Sequence, residues 1–209
     1  MEGRLTLAGE GLKKVFNRRT VFDNVSFSVA TGSVLLITGR NGSGKSTLVR
    51  IISRVLSPSA GSVRLEADGM TGADPWQTRI GLVSPYLQMF EEFTATENLS
   101  IAMGVRGLPF DSARADSLLD RVALYPRRND PVRTYSSGMK QRMKYAFALL
   151  HEPPLLILDE PTSNLDEEGV GIVRAIMEEQ RAKGILVVAT NDLADVGRFD
   201  AQVDLNERR

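Results

Sequence analysis

The chain has 209 residues, of which 42% are hydrophobic and 25% charged, proportions that are ordinary for a globular protein with a buried core. Its 26 basic and 26 acidic side chains cancel, which argues against a free nucleic-acid-binding protein, so no nucleic-acid partner is expected. Cysteine is absent and His151 is the single histidine, which excludes thiolate chemistry and metal sites built from several histidines.

The first predicted elements are two segments, "RLTLAGEGLKKVF" and "TVFDNVSFSVA", in which apolar and polar residues alternate. Such alternation predicts half-buried antiparallel strands. Charged residues fall within the first four positions, so we expect no signal peptide. No apolar run approaches the roughly 18 residues of a membrane span. We therefore expect a soluble, cytoplasmic protein.

Three short apolar runs, "VLLI", "LLIL" and "ILVVAT", predict buried strands of a parallel sheet. They alternate with the predicted helices "KSTLVRIISRVL", "SSGMKQRMKYAFALLHE" and "EEGVGIVRAIMEEQRAKG", and "SPSAGSV" begins one further strand. Thr94 and Glu97 have the spacing of a capping box at the start of another helix. The alternation predicts an α/β fold with a mostly parallel sheet. Residues 1–209 form one domain in this interpretation, with a helical lobe at about 87–154 inserted into the core.

The glycine-rich stretch "GRNGSGKSTL" lies between a predicted strand and a predicted helix and matches G-x-x-x-x-G-K-[ST]. Backbone N–H groups of such a loop cradle phosphates, and we expect side chains at its three glycines to block that approach. Lys45 would reach the β- and γ-phosphates, and the Ser46 hydroxyl would bind Mg²⁺. The alternative is a surface turn that carries a lysine by chance. The predicted nucleotide contacts here are Gly39, Arg40, Asn41, Gly42, Ser43, Gly44, Lys45, Ser46 and Thr47.

An acidic pair follows the second apolar run, in "LLILDEP". It falls at the carboxyl end of a predicted parallel strand, the edge at which ligands bind in α/β proteins. Asp159 would hold Mg²⁺ through water, and Glu160 would orient and deprotonate an attacking water molecule. By itself the pair could equally begin a solvated loop.

Two further motifs give the chain a family resemblance. "YSSGMKQR" resembles the signature motif of the ATP-binding-cassette ATPases, and "SNLD" resembles their D-loop. The order and spacing of these motifs extend the resemblance over nearly the whole chain. It implies a P-loop core, an N-terminal antiparallel β-subdomain and an inserted helical lobe, with ATP and Mg²⁺ as cofactors.

The resemblance also implies partners. Two chains, identical or paralogous, would sandwich two ATP molecules, with Ser136, Ser137, Gly138 and Asp166 contacting the nucleotide. At a helix that begins with serines, backbone N–H groups and hydroxyls point toward one place, where a phosphate can bind. The alternative is that these serines are an ordinary N-cap. The chain is then similar to the ATP-hydrolysing subunit of a transporter, peripheral on the inner face of the membrane and bound to a separate integral membrane subunit. "GMKQR" and the short length are similar to bacterial exporters.

The chain departs from this family at two positions, and a third position fits it. The glutamine that usually follows the strand before the helical lobe aligns with Pro85 or Tyr86, and Gln88 lies slightly later. Gln88 is a candidate for binding Mg²⁺ and the attacking water, or else a solvated amide. Asn191 stands where a histidine usually follows the last core strand, and its amide can donate to the γ-phosphate. Phe16 fits the aromatic residue that stacks on adenine, or a buried strand residue.

Two other features have a less direct relation to function. "MFEEF", with Met89, Phe90 and Phe93, could contact a membrane subunit or pack into the lobe. His151 is expected to be a surface or packing residue.

Two rival functions remain open. One is a non-transport ATPase of this class; about 90 residues separate Lys45 from Ser136, which excludes the long coiled coil of the chromosome class. The translation class usually fuses two cassettes, whereas this chain has one. The other rival is an ATP-binding module with weak turnover, which Asn191 and the missing glutamine favour and Glu160 opposes.

Overall fold

The computed structural model describes residues 4–67, 76–193 and 196–206. The first three residues, on which the expectation about a signal peptide partly rests, lie outside these ranges. No helix within the ranges combines the length and the apolar character needed to cross a membrane.

The two alternating segments form an antiparallel sheet, as predicted. Strands β1 (Leu5–Phe16), β2 (Arg19–Ala30) and β4 (Ala60–Ala67) pair in the order β2-β1-β4. The chain passes from β1 to β2 through Asn17 and Arg18, whose φ angles are 46° and 67°. Two positive φ angles in succession give a tight turn whose twist matches that of the strands.

The apolar runs form the predicted parallel sheet. Strands β3 (Val34–Thr38), β5 (Ile80–Val83), β6 (Leu155–Asp159), β7 (Ile185–Ala189) and β8 (Ala201–Asp204) lie in the order β5-β6-β7-β3-β8. Every residue of β6 and β7 is buried, as in a sheet covered on both faces. The edge strand β8 was not predicted, because "AQVD" is too short and too polar to stand out in the sequence.

The described parts of the chain contain five α-helices: α1 (Lys45–Ile52), α2 (Ala95–Val105), α3 (Ser112–Arg121), α4 (Ser137–Leu149) and α5 (Glu167–Lys183). The prediction that the first helix extends to Leu56 is wrong. Arg54 adopts a left-handed conformation, with φ at 58°. The N–H groups of Val55 and Leu56 then return to the Arg50 carbonyl, at 2.9 and 3.0 Å. These bonds satisfy a carbonyl at the helix end and stop the helix there.

The parallel sheet divides the hydrophobic core into two layers. On one face Leu36, Leu158 and Val188 pack with side chains of α2, α3 and α4. On the other face their neighbours, including Ile157 and Val187, pack with α1 and the antiparallel sheet. The helical segment therefore shares its core with the sheet, which is what an inserted lobe requires.

Three connections leave the carboxyl edge of this sheet side by side. The glycine-rich loop follows β3, the acidic pair ends β6, and Thr190 and Asn191 follow β7. Since β7 lies between β3 and β6, these segments meet although they are distant in sequence.

Candidate functional site

The glycine-rich loop contains three backbone conformations that side chains rarely adopt. The φ angles of Gly39, Gly42 and Gly44 are 146°, 79° and 110°. A Cβ on Gly39 would lie 2.4 Å from the Ser43 hydroxyl oxygen, and one on Gly44 would lie 2.5 Å from a Val21 methyl carbon. A Cβ on Gly42 would meet no described atom within 4 Å. The backbone geometry thus requires all three glycines, a reason additional to the predicted approach of phosphate.

Lys45 begins α1 and points back into the loop. Its side chain is 6% exposed, and its ammonium group donates to the Gly39 carbonyl (2.9 Å) and to Oδ1 of Asn191 (2.7 Å). It also forms an ion pair with Glu160, at 3.5 Å. A buried ammonium needs such partners because leaving water is costly for a charge. These contacts bring Lys45, Glu160 and Asn191 together in one site.

Asp159 is the most deeply buried carboxylate of this site. The residue is 1% exposed, and both carboxylate oxygens lack a hydrogen-bond partner among the described residues. Burial raises the pKa of Asp159, while the nearby Ser46 hydroxyl opposes that rise. A buried carboxylate without partners is costly unless something binds it. Hard oxygen ligands of this kind suit a divalent cation, so Asp159 and Ser46 fit the predicted Mg²⁺ site.

Glu160 directly follows β6 in a strained conformation, with φ at 51°. Its N–H donates to the Ala189 carbonyl (2.8 Å), which ties the residue to the end of β7. Its carboxylate is partly exposed and reaches both Lys45 (3.5 Å) and the Thr190 hydroxyl (3.5 Å). Such strain is found where a fold must aim a functional side chain. Glu160 faces the open cleft while Asp159 stays beneath it.

Asn191 bridges two parts of the glycine-rich loop. Its Oδ1 accepts from Lys45, and its Nδ2 donates to Oδ1 of Asn41 at 2.6 Å. The ammonium of Lys45 can only donate, which fixes the orientation of the amide. One N–H of this amide donates to Asn41, and no acceptor for the second is present among the described residues.

Lys45, Glu160 and most of the glycine-rich loop line a cleft with a volume of about 800 Å³, a size suited to a small molecule. Asp159 and Asn191 are not among the residues that line it. Phe16 and Arg19 of the antiparallel sheet form one part of the wall, and Tyr86 and Glu160 form another. Phe16 is 45% exposed, and the Lys14 ammonium lies 4.8 Å from its ring centroid. It is therefore a cleft residue, and the alternative of a buried strand residue is wrong. The loop residues Arg40, Asn41, Gly42, Ser43, Gly44, Lys45, Ser46 and Thr47 also line the cleft.

The structure does not bring Gln88 into the cleft. Its side chain is exposed, and the described residues that line the cleft include Tyr86 in its place. The reason is a turn in which the Leu87 N–H donates to the Ser84 carbonyl (3.1 Å), and the Tyr86 ring lies against Arg50. Sequence reasoning missed the tyrosine because it searched for an amide. The alignment to Pro85 or Tyr86 was the available signal.

The signature-like residues lie away from the cleft of their own chain. Ser136 caps α4, and its hydroxyl accepts from the Met139 N–H (3.2 Å). Ser136 and Ser137 are exposed, and a Cβ on Gly138 would lie 3.2 Å from the Asn164 carbonyl oxygen. "SNLD" therefore runs beside the start of α4.

Asp166 caps α5 by accepting from the Gly169 N–H (2.9 Å). This contact explains the aspartate as a helix cap. Its predicted contact with nucleotide stays a prediction.

His151 is a packing residue, one of the two roles expected of it. Its Nε2 lies 3.0 Å from the Ile80 carbonyl oxygen, and Nδ1 is buried without a partner among the described residues. Burial, reinforced by the charge of Arg106, lowers its pKa to about 4.

Comparison with known proteins places this site in a family. A family model described as ABC transporter matches residues 22–163, which include the glycine-rich loop, the signature-like motif and the acidic pair. An uncharacterised ABC transporter ATP-binding protein of Bacillus subtilis is 30% identical over 200 residues, covering 95% of this chain and 91% of the relative.

Two further relatives differ in the direction of transport that their names state. A Nod factor export ATP-binding protein of Ralstonia nicotianae is 33% identical over 187 residues, covering 88% of this chain and 58% of the relative. A methionine import ATP-binding protein of Brucella abortus is 33% identical over 195 residues, covering 90% of this chain and 53% of the relative. The direction of transport therefore does not follow from similarity.

A solved structure described as the ATP-binding subunit of an ABC transporter superposes on this chain with a TM-score of 0.81. It is 30% identical in sequence, and the match covers 95% of this chain and 85% of that chain. The match supports the α/β fold with a separate antiparallel sheet. The chain therefore belongs to the ABC transporter family, and it is an ATP-binding member of that family.

Proposed function

We propose that this chain hydrolyses MgATP in the cleft and that hydrolysis powers transport through a separate membrane subunit. The observation that carries the proposal is Asp159, which is 1% exposed and has no hydrogen-bond partner among the described residues, beneath a cleft lined by Lys45 and Glu160. A site for binding alone needs the lysine and the loop. A buried carboxylate for a cation and a second, partly exposed carboxylate are the additional parts that phosphoryl transfer needs.

Each part of the site has a role in the proposed reaction. Asp159 and the Ser46 hydroxyl would hold Mg²⁺, which when bound neutralises charge on the β- and γ-phosphates. Lys45 would exchange its contacts with Asn191 and Glu160 for phosphate oxygens. This exchange releases the Glu160 carboxylate for its role as a base.

Glu160 would accept the proton of the attacking water molecule. As the water oxygen bonds to the γ-phosphorus, the bond from that phosphorus to its bridging oxygen breaks. ADP leaves with the bridging oxygen, and inorganic phosphate is the second product. The second N–H of Asn191 would donate to the γ-phosphate.

Two exposed aromatic residues support the proposed membrane partner. Phe90 and Phe93 are 59% and 42% exposed, and their ring centroids are 5.8 Å apart. Met89, in contrast, packs against the core of the lobe. Paired exposed rings are a suitable anchor for a protein partner. We propose that the chain docks here, on the cytoplasmic face of the membrane.

The test is to measure phosphate release and ATP affinity for the wild type, Lys45→Ala and Glu160→Gln. We expect Lys45→Ala to weaken ATP binding by about ten- to a hundredfold, since a charge-assisted contact is lost. Glu160→Gln should bind ATP as the wild type does and release almost no phosphate, because an amide cannot accept the proton. Unchanged affinity in Lys45→Ala would contradict the proposed phosphate site.

The position of Gln88 outside the cleft favours a second candidate, an ATP-binding module with weak turnover. The same measurements separate the two. If the wild type binds MgATP but releases phosphate no faster than Glu160→Gln, the chain is an ATP-binding module with weak turnover.

A further inference from the structure

Tyr86 is a large aromatic side chain on the cleft wall that the proposed reaction does not yet use. It lines the same cleft as Lys45, Ser46 and Glu160 and is 63% exposed. Its hydroxyl can donate a hydrogen bond to a ligand.

Arg50 locates the tyrosine within the cleft. Its guanidinium carbon lies 3.9 Å from the centroid of the Tyr86 ring. Arg50 is four residues after Ser46 in α1, so the two side chains share one face of the helix. The positive charge of Arg50 also lowers the pKa of Asp159, against the larger effect of burial. Arg50 therefore places the ring beside the face of α1 that carries Ser46, which lines the same cleft.

The backbone of Tyr86 is held from two sides. Its N–H donates to the Ser84 hydroxyl (3.3 Å). The Lys144 ammonium of α4 donates to the carbonyls of Ser84 (3.1 Å) and Pro85 (3.5 Å). A ring stacked on a cation and a backbone tied to a helix are the features of a preorganised side chain.

We propose that Tyr86 is a substrate-contacting residue whose hydroxyl donates a hydrogen bond to the terminal phosphate of ATP, with Arg50 as the residue that positions its ring. This inference rests on the proposed function. In this role the hydroxyl only donates a hydrogen bond, so the contact stabilises charge on the phosphate without taking part in proton transfer. It also distinguishes ATP from ADP, which lacks the group that the hydroxyl contacts.

The test compares Tyr86→Phe with Tyr125→Phe. Tyr125 is a matched control in the helical lobe, where the Arg128 guanidinium also lies 3.9 Å from the ring centroid. Both variants remove one hydroxyl and keep the stacked ring. Calorimetry with Mg²⁺ gives the Kd for ADP and for ATP, and phosphate release gives kcat.

We expect Tyr86→Phe to lower the ratio of the two Kd values, ADP over ATP, by about tenfold and to lower kcat by a similar factor, since one bond to a charged group is lost. Tyr125→Phe should leave both quantities at the wild-type value. A ratio within about twofold of the wild type in Tyr86→Phe would overturn the inference.

Gln88→Ala provides a direct comparison with the position favoured by sequence alone. If this variant lowers the Kd ratio and Tyr86→Phe does not, the amide makes the contact and the inference is wrong. Failure of the proposed function would give a different result. A wild type that does not bind MgATP, or whose binding does not depend on Lys45, would contradict both the proposed function and this inference. If the wild type hydrolyses ATP and Tyr86→Phe leaves the Kd ratio unchanged, only the inference about Tyr86 is overturned.

Discussion

At Asn191 a single amide connects the end of β7 to two residues of the glycine-rich loop. It accepts from Lys45 at 2.7 Å and donates to Asn41 at 2.6 Å. These contacts hold the lysine on the protein side of the cleft. A phosphate that enters must compete with the amide oxygen for the ammonium, and it gains the second amide N–H as a donor.

We predict that Asn191→Ala slows ATP hydrolysis by about tenfold or more with little change in the free energy of unfolding, because a donor placed at developing charge is lost from a largely exposed side chain. Asn191→His should retain activity and add a pH dependence near the ordinary histidine pKa of about 6.5, since imidazole titrates and an amide does not. Steady-state hydrolysis from about pH 6 to about pH 9 checks both. Wild-type rates in Asn191→Ala would place the residue outside the reaction.

We predict that His151 makes the free energy of unfolding fall in mild acid. Its pKa of about 4 in the folded state lies below the ordinary 6.5, so the unfolded chain binds the proton more readily. Its contribution is complete above about pH 6.5 and is lost as the pH falls toward 4. Between about pH 7.5 and about pH 5 the loss should be about 2 kcal/mol.

His151→Asn is the comparison for this effect, because an amide can still donate to the Ile80 carbonyl and does not titrate in this range. Urea unfolding of both proteins at the two pH values separates the histidine from the carboxylates that they share. If both proteins lose the same free energy of unfolding between the two pH values, groups other than His151 cause the acid sensitivity.

At the scale of elements, the start of α2 organises the loop that presents Phe90 and Phe93. The predicted capping box is confirmed: the Thr94 hydroxyl accepts from the Glu97 N–H (3.2 Å), and the Glu97 carboxylate accepts from the Thr94 N–H (2.8 Å). Asn98, one turn further, is 2% exposed and bonds to both the N–H and the carbonyl of Phe90 (2.8 and 3.0 Å). The buried amide of Asn98 thus helps to hold a loop without regular structure, together with backbone bonds from Val132 to Phe93 and from Arg133 to Glu91 (both 2.9 Å).

We predict that Asn98→Leu lowers the free energy of unfolding by about 2–3 kcal/mol, because it leaves buried backbone groups of the loop without partners while keeping a similar volume. Ser100→Ala, on an exposed position of the same helix, should change it by less than about 0.5 kcal/mol. Urea unfolding measures both. Equal stability of the two variants would show that the loop holds its shape without Asn98.

At the scale of the whole molecule, the cleft and the signature-like residues of one chain are separate. Ser136 and Ser137 are exposed at the start of α4, where N–H groups and the helix dipole favour an anion. Their own chain offers them no phosphate, because the glycine-rich loop lies in the cleft. A second chain, identical or paralogous, can supply one, which supports the proposed sandwich of two nucleotides.

We predict that Glu160→Gln forms dimers with MgATP, since trapped ATP holds two chains together, and that wild type with ADP stays monomeric. Adding Gly138→Asp to Glu160→Gln should abolish the dimer. An aspartate in the first turn of α4 suits the helix dipole and repels phosphate. Sedimentation velocity gives the masses, and circular dichroism shows that the double variant folds. A monomeric Glu160→Gln at high concentration with ATP would mean that the isolated chain does not form the sandwich.

Local sequence was sufficient wherever the determining residues are contiguous. The glycine-rich loop, the acidic pair and the capping box each depend on the backbone geometry of a few neighbouring residues, and each lies where its pattern predicts. The buried runs predicted the strands β3, β6 and β7, because strands covered on both faces must be continuously apolar. The family resemblance rested on the same kind of contiguous motif.

Tertiary structure decided what depends on residues far apart in the chain. Tyr86 lies in the cleft in place of Gln88 because the ring stacks on Arg50 of another element and the turn is tied to Lys144 of a third. The hydrogen bond between Lys45 and Asn191 joins residues that are 146 positions apart in the chain. The lack of a described partner for Asp159 depends on all the side chains that are packed around it. Sequence alone therefore determined which chemical groups stand at the sheet edge. The packing of distant elements determined which of them face the same cleft, because only packing fixes distances between residues that the chain does not connect closely.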